Sequence, residues 1–191
     1  MSTNWNEYAF VALGSNLGPS RKILEHAFQQ LQKLTVHPII RSSIWKTEPM
    51  DCPPGSPPFL NAVAGLIPGA ERRARDDAPY LGEETPEHLL QILQELEIVA
   101  GRRPKTVLNE SRPLDLDLIG FRGLVINSDR LIVPHPRAHL RRFVLAPLAE
   151  VAPDLVLPNQ VKPVAELLKN LGSGEVVMRM PPLRPGSKSD S

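Results

Sequence analysis

The chain has 191 residues, 41% hydrophobic and 23% charged, with a net charge of +1; this is the size and balance of one globular domain with a core of its own, and it points to no particular charged partner. A single cysteine, Cys52, excludes an internal disulfide and any multi-cysteine metal site. No apolar run approaches the roughly 20 residues of a membrane helix, and residues 1–7 carry no basic-then-apolar leader, so a cytoplasmic protein is expected.

Residues 8–13 (YAFVAL) are a short apolar run suited to a buried strand, ended by the turn formers Gly14-Ser15-Asn16-Leu17-Gly18-Pro19. Ile23, Leu24, Ala27, Phe28, Leu31 and Leu34 then fall at helical spacing, with Ser20 placed to cap the helix. Val36, Ile39, Ile40 and Ile44 predict one long strand over 36–47. Five prolines and a glycine in 48–58 predict an irregular loop, and 59–67 another strand. Residues 68–84 are polar and predict a surface insertion. Thr85-Pro86-Glu87 opens a second helix with a cap, a first-turn proline and an acid at the positive dipole end. Its apolar stripe reads Leu89, Leu93, Leu96, Val99/Ala100, and Gly101 ends it. Residues 114–121 return to strand. This βαββαβ order predicts an α+β fold with a ferredoxin-like core, an antiparallel sheet with two helices on one face; further helices at 143–151 and 164–171 would cover the other. Residues 1–180 read as a single domain and 181–191 as a disordered tail.

Chemistry concentrates on Leu114-Asp115-Leu116-Asp117-Leu118. On a strand the leucines share one face and the two aspartates the other. Two carboxylates that close raise each other's pKa unless a cation stands between them. Hard oxygen ligands suit Mg²⁺, which takes one or two carboxylates and completes its shell with water and phosphate; a pair of ions also fits. Between positions 102 and 142 there are nine Arg/Lys against four Asp/Glu, a local balance of +5. Metal-binding acids ringed by Arg102, Arg103, Lys105, Arg112, Arg137, Arg141 and Arg142 match polyphosphate chemistry, in which guanidinium groups neutralise developing charge. His135, between Pro134 and Pro136, sits where a phosphate contact or a proton role is expected. No GxxxxGK[ST] loop is present, which excludes a P-loop kinase.

The series Ala12-Leu13-Gly14-Ser15-Asn16-Leu17, Thr47-Glu48-Pro49, Phe59-Leu60-Asn61-Ala62, Arg112-Pro113-Leu114-Asp115-Leu116-Asp117, Val133-Pro134-His135-Pro136 and Arg141-Arg142-Phe143-Val144-Leu145-Ala146-Pro147-Leu148 resembles 6-hydroxymethyl-7,8-dihydropterin pyrophosphokinases over residues 8–160. The resemblance implies transfer of pyrophosphate from ATP, the co-substrate, to a small pterin alcohol, with release of AMP, in folate biosynthesis. It implies two Mg²⁺ ions on Asp115 and Asp117, and catalytic roles for Arg102 and Arg112 beside them. Gln94, Arg102, Lys105, Arg112, His135 and Arg141 would contact ATP, and Glu97 would line the site with Gln94. Thr47, Glu48, Phe59, Asn61 and Phe143 would form the pterin slot, rings stacking on the heterocycle while Asn61 reads its polar edge. Partners would be these small molecules, with no nucleic acid, membrane or obligatory protein partner. Where the family usually has Trp-Gly-Pro before the equivalent of Arg112, this chain has Asn109-Glu110-Ser111, which weakens the expected lid over 103–111; that segment is expected to be mobile until ATP and pterin bind. The rivals are a non-catalytic relative and an RNA-binding ferredoxin-like module. The second needs exposed sheet aromatics that a 5% aromatic content scarcely provides.

Overall fold

The structure, a computed structural model, describes residues 3–49, 52–69, 85–103, 110–172 and 174–182. A turn of 3-10 helix (Trp5–Glu7) precedes β1 (Ala9–Ser15), α1 (Ser20–Gln32), β2 (Ile40–Arg41), β3 (Trp45–Thr47), β4 (Phe59–Leu66), α2 (Pro86–Val99) and β5 (Asp115–Phe121). A hairpin of β6 (Ile126–Asn127) and β7 (Ile132–Val133) follows, then a 3-10 turn (Ala138–Leu140), α3 (Arg142–Val151), α4 (Val164–Asn170) and β8 (Val177–Arg179). The main sheet runs β5-β1-β4-β3-β8, with β2 also on β4, and every pairing is antiparallel.

The period of two in β1 builds two cores. Ala9, Val11 and Leu13 pack with Leu24, Phe28 and Leu31 of α1, Leu93 of α2 and Leu116 and Leu118 of β5. Phe10 turns the other way, onto Val63, Ile119, Val144, Leu145, Leu148 and Val164. Helices therefore cover both faces, α1 and α2 on one side and α3 and α4 on the other. A register shift sets Val11 opposite Leu118 but Phe10 opposite Gly120. The extra residue, Ile119, is thereby turned into the second core.

Four expectations change. The long strand over 36–47 is two short ones, because the hydroxyl of Ser42 accepts the Val63 N–H at 2.9 Å while its own N–H reaches the Val63 carbonyl at 3.0 Å; the side chain replaces a backbone rung and the strand breaks there. Ser20 is the first residue of α1, whose N-cap position is Pro19, with no side-chain cap. On α2 the inner face continues through Leu89, Leu93 and Glu97 rather than Val99, which is 82% exposed. Among the described residues the sheet has six strands rather than four, β8 being an edge strand that its three residues did not announce. Thr85 does cap α2, accepting the His88 N–H at 3.2 Å, and Gly101 follows its end at φ +96°. The insertion from 70 to 84, most of the expected lid (104–109) and the tail from 183 lie outside the described residues.

Candidate functional site

Three strands converge at one end of the sheet. Gly14 of β1 pairs with Asn61 of β4 on one side and Asp115 of β5 on the other, while Ala12 pairs with Asp117. A Cβ at Gly14 would lie 3.3 Å from the Asn61 Oδ1 and 3.7 Å from the Asp115 Cβ. Glycine there lets the two flanking side chains approach over β1. Above this end lies a cleft of about 520 Å³ whose walls include Thr47, Glu48, Phe59, Asn61, Gln94, Glu97, Arg102, Arg112, Asp115, Asp117, His135, Arg141 and Phe143. Every site residue that the resemblance implied is thus brought to one cleft, except Lys105, which lies outside the described residues. Of the wider basic ring Arg137 also lines it, whereas Arg103 does not and the Arg142 guanidinium turns instead to the Leu171 and Gly172 carbonyls.

The acidic wall follows from β5. Leu114, Leu116 and Leu118 are buried against α1 and α2, so Asp115 and Asp117 face the cleft. Arg112 donates to the Asp115 Oδ1 at 2.7 Å, and Arg102 stands 3.3 Å from the same oxygen. Arg141 is 3.8 Å from the Asp117 Oδ2. Burial and the neighbouring Asp115 push the Asp117 carboxyl up, against the pull of His135, Arg141 and Arg112. Within this pair the charge of Asp117 is therefore incompletely compensated by the protein alone. The pair's donor set, two hard carboxylates open to a cleft, fits a cation that takes its remaining ligands from water and phosphate. Among the described residues no cluster of three or more His, Cys, Asp or Glu side chains is arranged to hold a metal by itself.

His135 is held by its own N–H on the Ile119 carbonyl at 2.9 Å, while its Nδ1 accepts from the Arg137 N–H at 3.2 Å. That acceptance leaves Nε2 as the protonated nitrogen of a neutral ring. Burial lowers its pKa; Asp117 opposes this, and Arg141 and Arg137 reinforce it. Glu97, 4% exposed, accepts the Leu116 N–H at 2.7 Å and pairs with Arg102. Since β5 is the sheet edge, Glu97 fills an otherwise unpaired edge donor and fixes the root of Arg102. Burial raises its pKa, opposed by the Leu116 N–H and Arg102.

On the opposite wall Asn61 is 5% exposed and its amide donates to the Thr47 hydroxyl at 2.8 Å. Its carbonyl oxygen lies beside Gly14. Phe59 lies at the start of β4, and Phe143 stands beneath the Arg141 guanidinium at 5.4 Å. Glu48 is exposed at the rim, 3.9 Å from Lys46.

Two residues escaped the sequence reading. Asn16 accepts the Arg112 N–H at 2.9 Å and donates to the Pro57 carbonyl and the Ser111 hydroxyl at 3.2 and 3.1 Å; it ties the loop before β4 to the arginine. Its position in the turn series was the available signal, and Ser111, one of the departures noted above, supplies a partner. Glu175 lines the cleft from the segment after α4, and nothing in its sequence surroundings marks it.

The family model described as 7,8-dihydro-6-hydroxymethylpterin-pyrophosphokinase (HPPK) matches residues 10–153. A 2-amino-4-hydroxy-6-hydroxymethyldihydropteridine pyrophosphokinase of Haemophilus influenzae is 32% identical over 176 residues, covering 91% of this chain and 98% of its own. The folic acid synthesis protein fol1 of Schizosaccharomyces pombe is 33% identical over 88% of this chain, which spans only 21% of it. A Plasmodium falciparum HPPK-DHPS crystal structure with pteroate superposes with a TM-score of 0.63 at 13% identity, over 85% of this chain and 42% of its own, a likeness of fold. The chain belongs to the HPPK family.

Proposed function

We propose that this chain carries out the family's reaction in the cleft described, with Asp115 and Asp117 holding two Mg²⁺ ions. It is a pyrophosphokinase of folate synthesis, moving the pyrophosphoryl group of ATP to 6-hydroxymethyl-7,8-dihydropterin and releasing AMP. The observation that carries the site assignment is a pair of cleft-facing carboxylates on one strand, ringed by Arg102, Arg112 and Arg141. Mg²⁺ at such a pair supplies charge neutralisation on phosphate oxygens. In our reading the arginines that now compensate the acids turn to ATP phosphates when these arrive, Lys105 joins them, and Gln94 and the His135 Nε2–H donate to ATP. Thr47, Asn61, Phe59, Phe143 and Glu48 form the pterin side, rings on the heterocycle and amide on its edge. The hydroxymethyl oxygen of the pterin attacks the β-phosphorus in line, and positioning with charge stabilisation provides most of the acceleration. We also read the core as ferredoxin-like and the protein as one cytoplasmic domain; the strand order β5-β1-β4-β3 supports the first reading.

Incubation with ATP, Mg²⁺ and the reduced pterin alcohol should yield AMP, and chelating the metal should stop it. Asp115→Asn and Asp117→Asn should each reduce turnover at least ~10²-fold with the fold intact. ADP as product would overturn the reaction, and a near-normal rate in either variant would overturn the metal assignment.

A further inference from the structure

Phe143 sits in the first turn of α3, so the geometry of that turn decides where its ring stands in the cleft, while Arg141 precedes it at the N-cap position. The turn has no cap of its own: the N-cap position is Arg141 and its side chain makes no capping hydrogen bond. Of the leading amides, only those of Val144 and Leu145 reach back to the Arg141 carbonyl, at 3.1 and 2.9 Å. The Arg142 and Phe143 N–H groups need an acceptor from elsewhere.

Glu175 supplies it. Its Oε2 accepts the Arg142 N–H at 2.8 Å, with the Phe143 N–H as a second donor to the carboxylate. A carboxylate at the positive end of a helix is the favourable sign. The segment bearing Glu175 is fixed on both sides. Before it, the Arg142 guanidinium donates to the Leu171 and Gly172 carbonyls at 2.8 and 3.2 Å. After it, Val177 of β8 pairs with Thr47 of β3, a residue of the same wall as Asn61. The described residues on either side, 171–172 and 174–177, thus link the start of α3 to the Thr47 strand, and the carboxylate of Glu175 lines the cleft. This segment lies beyond the residues 10–153 matched by the family.

We propose that Glu175 is a positioning residue for the pterin side of the cleft, capping α3 from a distance and thereby holding the Phe143 ring in place. The proposal rests on the functional reading above. It involves no contact between Glu175 and substrate; the carboxylate acts through the backbone of residues 142 and 143. Arg141 precedes the capped amides and keeps its approach to Asp117, so the ATP side is largely spared.

The test compares Glu175→Ala and Glu175→Gln with the wild type, by pterin and ATP dissociation constants from calorimetry, melting temperature, and amide exchange in the ligand-free protein. Gln keeps an acceptor oxygen, so it should recover most of what Ala loses. The expected result for Ala is faster exchange at 142 and 143 and pterin affinity weakened about threefold to tenfold, the scale of a lost cap. ATP affinity should stay within about twofold, because Arg141 lies outside the capped turn. Unchanged pterin affinity would overturn the proposal, even with a lower melting temperature, since Glu175 would then serve stability alone. Equal losses of ATP and pterin would overturn it as well, and so would Gln behaving like Ala. If the wild type bound no pterin, the functional reading would fail instead, and exchange at 142 and 143 would still decide whether Glu175 holds the turn.

Discussion

Asn61 sits in a strand whose next five residues are buried, where an amide costs free energy unless its groups are paired. The protein satisfies its N–H₂ through Thr47 and leaves the carbonyl oxygen at the cleft beside Gly14. The partner expected for the amide is therefore half internal, and in the proposed function the half that remains is the one that would read the pterin. Replacing Asn61 by Leu should weaken pterin binding at least ~10²-fold, since a site built to hydrogen-bond loses heavily when an atom goes unpaired. ATP affinity should hold, because the arginines and aspartates lie on the opposite wall. Calorimetry with each ligand separately is the check, and unchanged pterin affinity would make Asn61 a structural residue. Residues of this kind were legible because they contradict their surroundings: an amide in an apolar run, two aspartates alternating with leucines. Asn16 and Glu175 do not. A polar side chain in a turn or loop has the same sequence signature whether it faces solvent or clasps a distant backbone group.

At the level of elements, apolar spacing located α1, α2, β1, β4 and β5, because each buries a continuous face in one of the two cores. It failed where side chains replaced backbone rungs. Ser42 ends β2, and Ser43 turns to α3, its N–H and hydroxyl donating to Glu150 at 3.1 and 2.7 Å. Trp45 Nε1 and Arg179 donate to the same carboxylate at 2.9 and 2.8 Å. One glutamate thus joins α3, β3 and β8, which is why so short a strand as β8 holds its place. Burial alone would raise the Glu150 pKa, but these donors win and set it below its ordinary 4.5. A depressed carboxyl stabilises the fold above that unfolded value, and the contribution is lost as pH falls through the lower folded value. Glu150→Gln should therefore melt lower than wild type at neutral pH, and the gap should narrow as pH falls below 4.5. Melting curves that stay parallel across this range would show that the charge of Glu150 does not matter.

The whole molecule is organised by its sheet, which presents one apolar layer to α1 and α2 and another to α3 and α4. The sequence order of strands and helices was enough to foresee both layers. It did not disclose that the chain returns after α4 to add β8 beside β3, because Val177, Met178 and Arg179 are half-buried or exposed at the edge and show no alternation. Each layer draws residues from β1, β4 and β5, so neither can form without the strands that also carry the other. Leu31 in the first and Val164 in the second are both fully buried and belong to separate clusters. Leu31→Ala should cost about 2–5 kcal/mol, and Val164→Ala about 2 kcal/mol, two buried carbons with a small cavity. Since the two residues belong to separate clusters, the two losses should add to within about 0.5 kcal/mol in the double variant. Urea unfolding followed by both fluorescence and circular dichroism should give one coincident transition in all three variants. Separate transitions by the two probes would mean that the two faces of the sheet fold as independent units, and a double variant far from additive would mean that the two sites are coupled through the sheet.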